Sequence, residues 1–184
     1  MENNGSIGNE NKSNVKKEII SWIKYILSAL IISFLLTKFV ILNAYIPTGS
    51  MEDTIMPGDR VFASRIHYFF TEPKRGDIIV FKYPDDESIN YVKRVIGLPG
   101  EKVEIRNGEV YINDVKLDEP YIKEEMSKED LGPYQVPEDS YFVMGDNRNN
   151  SNDSRRWLTT NYVHKSKILG KVAFQYFPKF KWLW

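Results

Sequence analysis

The feature that most constrains this chain is an apolar run near its amino terminus, from Ile19 to Leu42. Apolar side chains occur on every face of the helix that this run would form, which excludes an amphipathic surface helix. A span over about residues 19–39 is roughly 31 Å long at about 1.5 Å per residue, enough to cross the hydrocarbon core of a bilayer. Lys24 and Lys38 lie towards its two ends, where their amines can reach the headgroups. We therefore predict a transmembrane anchor at residues 19–39.

Two other structures are compatible with such a run. A cleaved signal peptide ends in small residues two positions apart, whereas the residue two positions before Ala44 is Leu42. A buried core helix is the other alternative, although the run follows a polar tail and lacks capping signals. An uncleaved membrane anchor is the interpretation that this sequence favours.

The residues around the run predict how it is oriented. Residues 1–18 are polar, and we expect them to form a disordered tail. Four lysines lie in this tail or at the start of the run: Lys12, Lys16, Lys17 and Lys24. Because cytoplasmic flanks are enriched in cations, the tail is predicted to be cytoplasmic and the chain after about residue 40 to lie on the outer side of the cell membrane.

The chain after the anchor has the pattern of short strands joined by tight turns. Asn107-Gly108 is a strong hairpin signal, and a second turn is expected at Asn113-Asp114. Residues 118–138 are charged and proline-bearing, and within them residues 123–130 are expected to form a solvated excursion. The predicted strands cover residues 77–83, 91–97, 102–106, 109–112, 140–144 and 168–177. The sequence thus predicts a mainly β domain of antiparallel sheets at 40–184, with an inserted hairpin and loop region at about 101–138.

Composition excludes several classes of function. The 25 Lys and Arg residues balance 25 Asp and Glu residues, which argues against nucleic-acid binding because such proteins usually carry a basic excess. The chain has no cysteine, so it forms no disulfide, zinc–thiolate site or thiol nucleophile. Two separated histidines, His67 and His164, offer no plausible catalytic metal site, and no cofactor is predicted.

Three segments contain residues that can perform chemistry, and each has an ordinary structural interpretation. Ser50 lies in a Gly-Ser turn after the anchor, and such a turn usually needs no further explanation. Lys93 lies in an apolar strand; it is either an edge residue or a buried amine that loses its proton readily. Residues 145–155 contain no apolar side chain and suggest an exposed loop. A calcium loop is excluded because Arg148 interrupts the carboxylates and no glutamate closes the loop.

Together, in this order, the segments resemble the bacterial type I signal peptidases, membrane-bound serine proteases that remove signal peptides from exported proteins. The resemblance extends from the anchor through four further blocks. These are Ser50-Met51, Arg75 to Phe81, Tyr91 to Gly100, and the polar residues from Gly145 to Arg155. Each block alone is weak, but four in the right order behind a membrane span are highly specific.

The resemblance implies a role for six residues. Ser50 corresponds to the nucleophile that forms an acyl-enzyme, and Lys93 to the general base of a Ser-Lys pair. Thr48 corresponds to a hydroxyl that joins the Ser50 backbone N–H in the oxyanion hole. Ser151 corresponds to a serine that hydrogen-bonds the lysine amine, and Asp153 and Arg155 to a supporting ion pair.

Two positions depart from the family's pattern. Asp53 stands where the family usually has a proline, and Asn149 stands where it often has an aspartate. They leave open a non-enzymatic alternative, an inactive membrane-anchored β-domain that binds or scaffolds. A second alternative is a Ser-His-Asp hydrolase that uses Ser50, His164 and either Asp146 or Asp153.

The expected partners are signal peptides of translocated pre-proteins and membrane lipid. The resemblance implies that the substrate adds as an extended strand, with small side chains entering shallow pockets. Residues 44–52 and 78–83 are where we expect those pockets. Four aromatic residues near the carboxyl terminus are expected either to touch the membrane interface or to end a core strand: Phe177, Phe180, Trp182 and Trp184.

Overall fold

A computed structural model of the chain describes residues 6–183, and the side chains of residues 15–183. The chain forms two compact units, one that ends at Val40 and one that begins at Ile41.

The first unit is a long helix, α1, from Ser6 to Leu35, which continues as a π-helical turn over Leu36–Val40. Its stretch from Val15 to Val40 is long and apolar enough to cross a membrane, and none of it is buried. The helix begins well before residue 19, which differs from the predicted disordered tail over residues 6–18. Extending a formed helix adds one hydrogen bond for each residue fixed, so the nucleated apolar helix continues into the polar segment. Residues 1–5 of the predicted tail lie outside the described residues.

The second unit contains twelve strands and a short helix, α2, at His67–Phe70, within the residues described. The strands are β1 Ile41–Tyr45, β2 Arg60–Ser64, β3 Ile78–Tyr83, β4 Asp86–Gly97, β5 Lys102–Arg106, β6 Glu109–Ile112, β7 Val115–Lys116, β8 Leu131–Gln135, β9 Ser140–Met144, β10 Val163–His164, β11 Ile168–Phe177 and β12 Lys181–Trp182. An eight-stranded sheet has the order β1-β2-β11-β3-β4-β9-β10, with β12 paired to β11, and a second sheet has the order β7-β6-β5-β8. All the pairings are antiparallel, which confirms the predicted fold class.

The apolar run of β3 is continuous because both of its faces are buried. Side chains alternate across a strand, so Ile78 and Val80 enter one hydrophobic cluster while Ile79 and Phe81 enter another. β9, on the other side of β4, is buried along its whole length for the same reason: its alternate side chains pack into the second of these clusters and into the core of the second sheet. These two strands enclose β4 and hold it rigidly in the middle of the large sheet.

The second sheet includes a strand of the inserted region that the sequence patterns did not predict. The hairpin turns form as expected, with positive φ at Asn107, Gly108, Asn113 and Asp114. Residues 123–130 form no strand and are mostly exposed, as expected, but residues 131–135 after them form β8, which pairs with β5. Gly132 and Pro133 lie inside β8. Both residue types are uncommon in the interior of a strand, so the sequence pattern did not predict one here.

The carboxyl-terminal aromatic residues form a strand end. β12 pairs with β11, and the rings of Phe174, Phe180 and Trp182 contact one another at centroid distances of 5.3–5.5 Å. The Phe180 and Trp182 side chains nevertheless remain exposed. Trp184 lies outside the described residues.

Candidate active site

Ser50 and Lys93 are in direct contact. Ser50 lies in a series of turns over residues 48–55, called here the serine turn, which buried Met51 and Ile55 anchor to the core. Lys93 lies in the middle of β4, opposite Ile79 of β3. The Lys93 Nζ is 2.6 Å from the Ser50 Oγ, a short hydrogen bond between residues 43 positions apart. Ser50 is 9% exposed and Lys93 is 4% exposed, so Lys93 is the buried amine of the two alternatives that its strand allowed.

The surroundings of Lys93 favour its neutral form. The amine lies 5.1 Å from the centre of the Tyr91 ring and donates to the Val92 carbonyl oxygen at 3.2 Å. Burial lowers the pKa of Lys93 to about 8, although the nearby Asp153 and Asp146 carboxylates oppose this shift. An amine with this pKa is partly neutral near pH 7 and can accept a proton, as a general base must.

Residues 145–155, called here the polar loop, begin beside β4, the strand that carries Lys93. Met144, the last residue of β9, pairs antiparallel with Arg94 of β4, so Gly145, where the polar loop starts, comes level with Lys93. A Cβ at Gly145 would collide with the Ser50 carbonyl oxygen and the Ser151 hydroxyl, so only glycine allows this close approach. The loop was open to interpretation as an exposed segment, but most of its polar side chains are buried.

Asp153 and Arg155 form the core of the polar loop. The Arg155 guanidinium donates to both Asp153 carboxylate oxygens, at 2.8 and 2.9 Å, and both side chains are fully buried. Burial opposes ionisation of Asp153, but the guanidinium prevails and holds the pKa of the carboxyl below its usual value. The Gly145 backbone N–H donates to Asp153 at 3.0 Å, which ties the pair to the start of the loop.

The polar loop is linked to β4 and to the serine turn by three further residues, Asp146, Arg94 and Asn147. The sequence did not predict these roles. Arg94 donates to Asp146 at 2.8 and 2.6 Å, and the Thr54 hydroxyl donates to the same carboxylate at 2.5 Å. The Asn147 side chain donates to the Gly49 carbonyl oxygen at 3.0 Å, and its backbone N–H donates to the Ser50 carbonyl oxygen at 3.1 Å. The adjacency of Arg94 to Lys93 was the one signal that pointed towards the first of these contacts.

Ser151 and Thr48 are near the pair but make no hydrogen bond with it. The Ser151 Oγ is buried against Gly145 and helps to hold the pKa of the Asp153 carboxyl low, but it forms no hydrogen bond with Lys93 or Ser50. The contact expected between Ser151 and the Lys93 amine is therefore not formed in this structure, because the amine is directed at Ser50 and Val92 instead. Thr48 is exposed and lines a cleft beside Ser50.

The cleft has a volume of about 370 Å3, and Ser50 and Lys93 both line it. Its walls are residues 45–51 of the serine side, residues 89–93 of β4, and the two asparagines Asn150 and Asn152. Residues 44–52 were expected to form a wall, and most of them do. Residues 78–83 do not line it, because β3 is covered on both faces, and Ile46 and Met51 of the cleft wall pack in the cluster that covers one of them.

The alternative catalytic residue, His164, belongs to another part of the sheet. It pairs with Ser140 at the start of β9, whereas the polar loop begins after the other end of that strand. Its Nδ1 lies 2.8 Å from the Ser166 hydroxyl. Asp146 and Asp153, the carboxylates considered with it, are paired with arginines. Across the described residues 15–183, no group of three or more potential metal-ligating side chains occurs.

Both departures from the family's pattern have a structural explanation. Asp53 is at φ 74°, a conformation that proline cannot adopt, so the serine turn follows a backbone path that excludes proline. The Asn149 amide donates to the Glu124 carboxylate and the Glu125 carbonyl oxygen, both at 3.1 Å. An aspartate in the same place would have no N–H to donate and would face another carboxylate.

Comparison with known proteins identifies the family. The chain matches the family model described as signal peptidase, peptidase S26, over residues 19–177. The chain belongs to the signal peptidase family. It is accordingly a hydrolase of the serine peptidase type, and the resemblance found in its sequence blocks is confirmed.

Individual relatives extend over most of the chain. Signal peptidase I of Bacillus licheniformis is 36% identical over 178 residues, which cover 92% of this chain and 94% of that protein. Signal peptidase I S of Bacillus subtilis is 38% identical, with 89% of this chain and 91% of that one covered. A probable signal peptidase I-1 of Synechocystis is 41% identical, with 87% and 83% covered. A crystal structure of a signal peptidase I from Enterococcus faecalis V583 is 37% identical and covers 55% of this chain and 97% of that one, with a TM-score of 0.48.

Proposed function

We propose that this chain is a membrane-anchored endopeptidase that removes signal peptides from exported pre-proteins by a Ser50–Lys93 pair. The observation that carries the proposal is the 2.6 Å contact between a buried serine hydroxyl and a buried lysine amine whose pKa is lowered to about 8. The substrate class comes from the relatives, which are signal peptidases over nearly their full length.

The reaction begins with the neutral Lys93 amine. It takes the proton from the Ser50 Oγ as that oxygen attacks the scissile carbonyl carbon. When the tetrahedral intermediate collapses, the Lys93 ammonium gives its proton to the departing amine, and the signal peptide remains bound to Ser50 as an ester. Lys93 then removes a proton from a water molecule that attacks the ester, which releases the signal peptide and restores the serine.

The oxyanion of the tetrahedral intermediate needs hydrogen-bond donors that have no other acceptor. The Ser50 backbone N–H has no acceptor among the described residues, and the Thr48 hydroxyl lines the same cleft without a partner among them. These two groups are the proposed oxyanion hole. In the resting structure Ser151 does not aim the amine, so we assign it to a later step, in which Ser50 is acylated and the amine loses its present partner. Asp153 and Arg155 support the loop.

A variant series tests the pair. Full-length protein in detergent is incubated with a pre-protein, and the cut is located by mass spectrometry. Ser50→Ala and Lys93→Ala should each lower the rate by orders of magnitude, and the double variant should be little worse, because the two residues act as a unit. His164→Ala should keep nearly full activity. Retained cleavage in Lys93→Ala would mean that another base operates, and no defined cut by the unaltered protein would favour the binding or scaffolding alternative.

The membrane arrangement needs its own test. The apolar stretch Val15–Val40 supports a single span, and the lysines before it support a cytoplasmic amino terminus. Protease added to intact protoplasts should digest the part after residue 40 and spare a tag at residue 1. Protection of the carboxyl-terminal part would overturn this topology.

A further inference from the structure

A turn in the inserted region packs against the segments that form the candidate active site. It consists of residues 119–123, called here the strap, and is closed by a hydrogen bond from the Ile122 N–H to the Glu119 carbonyl oxygen at 3.3 Å. Three of its side chains, two residues apart, contact the three segments that form the site: the polar loop, the base strand β4 and the serine turn.

Glu119 contacts the polar loop. Its carboxylate accepts two hydrogen bonds from the Arg148 guanidinium, at 2.7 and 2.6 Å, with 8% and 1% of the two side chains exposed. The Arg148 Nε in turn donates to the Gly145 carbonyl oxygen at 3.0 Å. A buried bidentate pair of this kind has a fixed geometry, so Glu119 fixes the position at which the polar loop approaches Ser50.

Tyr121 contacts the base strand. Its ring lies 4.0 Å from the Arg94 guanidinium carbon, and its hydroxyl donates to Glu119 at 2.8 Å. Arg94 is the neighbour of Lys93 in β4 and donates to Asp146 with two nitrogens. A guanidinium stacked on an aromatic ring keeps its plane, and this orients both of its hydrogen bonds.

Lys123 contacts the serine turn. Its amine forms an ion pair with Glu52, two residues after Ser50, and its backbone N–H donates to the Asp146 carbonyl oxygen at 3.3 Å. The same Glu52 carboxylate accepts from the Asn147 side chain at 3.3 Å. The serine turn and the polar loop therefore share a contact that the strap completes.

We propose that the strap sets the relative position of Ser50 and Lys93, with Glu119, Tyr121 and Lys123 as positioning residues that do not touch the reacting atoms. The inference rests on the proposed function, since it concerns the geometry of that pair. The two residues are brought together from separate segments, and the strap is bound to both of these and to the loop between them. A variant that weakens the contacts of the strap should separate the Ser50 Oγ from the Lys93 Nζ and admit water to the Lys93 amine.

This inference predicts a change in pH dependence. The groups that face Lys93 are Tyr91 on its own strand, Ile79 of β3, Ser50, and the charged side chains of the polar loop, which are Asp146, Asp153 and Arg155. Burial is the largest influence on the amine, and it favours the neutral form. Water that enters a loosened site restores the charged form, so the rate of a strap variant should need a higher pH to reach its plateau. A variant that only unfolds part of the protein would lose the same fraction of its rate at every pH.

The decisive experiment compares Tyr121→Ala with Tyr111→Ala in full-length protein. Tyr111 is a matched control, because its ring carries the Arg106 guanidinium at 4.8 Å in the second sheet, outside the contacts of the site. We expect Tyr121→Ala to lower kcat/KM for a signal-sequence peptide on the order of 10- to 100-fold at pH 7.5, and to move the rising limb to higher pH. Tyr111→Ala should match the unaltered protein. An unshifted limb in folded Tyr121→Ala would overturn the proposal.

A milder pair of variants keeps the test decisive if Tyr121→Ala fails to fold. Lys123→Met should lower kcat/KM about fivefold or less, since this ion pair is partly exposed, and Lys116→Met, which breaks the exposed pair with Glu109, should have no effect. Lys123→Glu should be worse, and adding Glu52→Lys should recover most of that loss. Failure of the exchange to recover activity, with Lys123→Met equal to Lys116→Met, would refute the strap. Cleavage by the unaltered protein tests the proposed function separately, because the strap is judged only from ratios between variants.

Discussion

Two polar segments of this protein look alike in sequence and differ in structure. The polar loop, residues 145–155, and the charged segment, residues 123–130, both lack the spacing of apolar residues that predicts a strand or a helix. In the polar loop, seven polar or charged side chains are buried, including Asp146, Asp153 and Arg155. In the charged segment, Met126 is the one buried side chain, and the charged side chains face water wholly or in part.

Whether a charge is buried therefore depends on the hydrogen-bond partners available to it and not on residue type. Removing an ion from water is unfavourable by several kcal/mol, so a buried charge persists only with an excellent partner. Each buried carboxylate of the polar loop receives at least two hydrogen bonds from an arginine. The carboxylates of the charged segment have single or longer contacts and keep their hydration.

Two neighbouring arginines, one in a buried ion pair and one in an exposed contact, should show the largest difference in stability. Arg155→Ala leaves the buried Asp153 carboxylate without its partner, and we expect the free energy of unfolding to fall by about 3–5 kcal/mol. Arg156→Ala removes a longer, exposed contact to Glu129 in the charged segment and should change stability by about 1 kcal/mol or less. Chemical denaturation of both variants measures the contrast. Equal losses would show that burial of the pair has no special weight.

The second prediction concerns the base that the polar loop faces. The neutral Lys93 amine is the reactive form, so kcat/KM should fall as the pH drops through about 8 and the amine becomes protonated. Below that pH the rate should decrease about tenfold for each unit, and above it the rate should level off. Glu125→Gln, in the charged segment, should leave the limb in place, because Glu125 is exposed and does not face the amine. A limb near 6.5 would indicate a histidine base instead.

The third and smallest effect is expected where the two segments touch. Asn149→Asp replaces an amide that donates to the charged segment with a carboxylate that faces Glu124. Because the contact is exposed, we expect a loss of about 1 kcal/mol or less, measurable as a lower melting temperature at pH 8 that largely disappears at pH 4, where the new carboxyl is partly protonated. Adding Glu124→Gln should recover part of the loss. An unchanged melting temperature at both pH values would mean that the two segments are independent.

Sequence patterns predicted the strands whose side chains alternate or are wholly apolar. β3, β5, β6 and β9 lie within a residue of the predicted ranges, and the Asn107-Gly108 hairpin forms as its turn chemistry requires. Strands that patterns could not detect are short or interrupted. β8 contains Gly132 and Pro133, and β1 follows the apolar helix without any change in hydropathy that marks its start at Ile41.

The six site residues were named from blocks of sequence, and those blocks specify which chemical groups are available: a serine, a lysine in an apolar strand, and a loop rich in charges. Tertiary structure decided how they meet. Ser50 and Lys93 are 43 residues apart, and only the folding of β4 against the serine turn brings their side chains to 2.6 Å. The fold also determines that most polar side chains of the loop are buried and that the strap packs against the loop. The physical reason is that a buried charge depends on partners from distant parts of the chain, such as Glu119 for Arg148, and no local pattern specifies a partner of that kind.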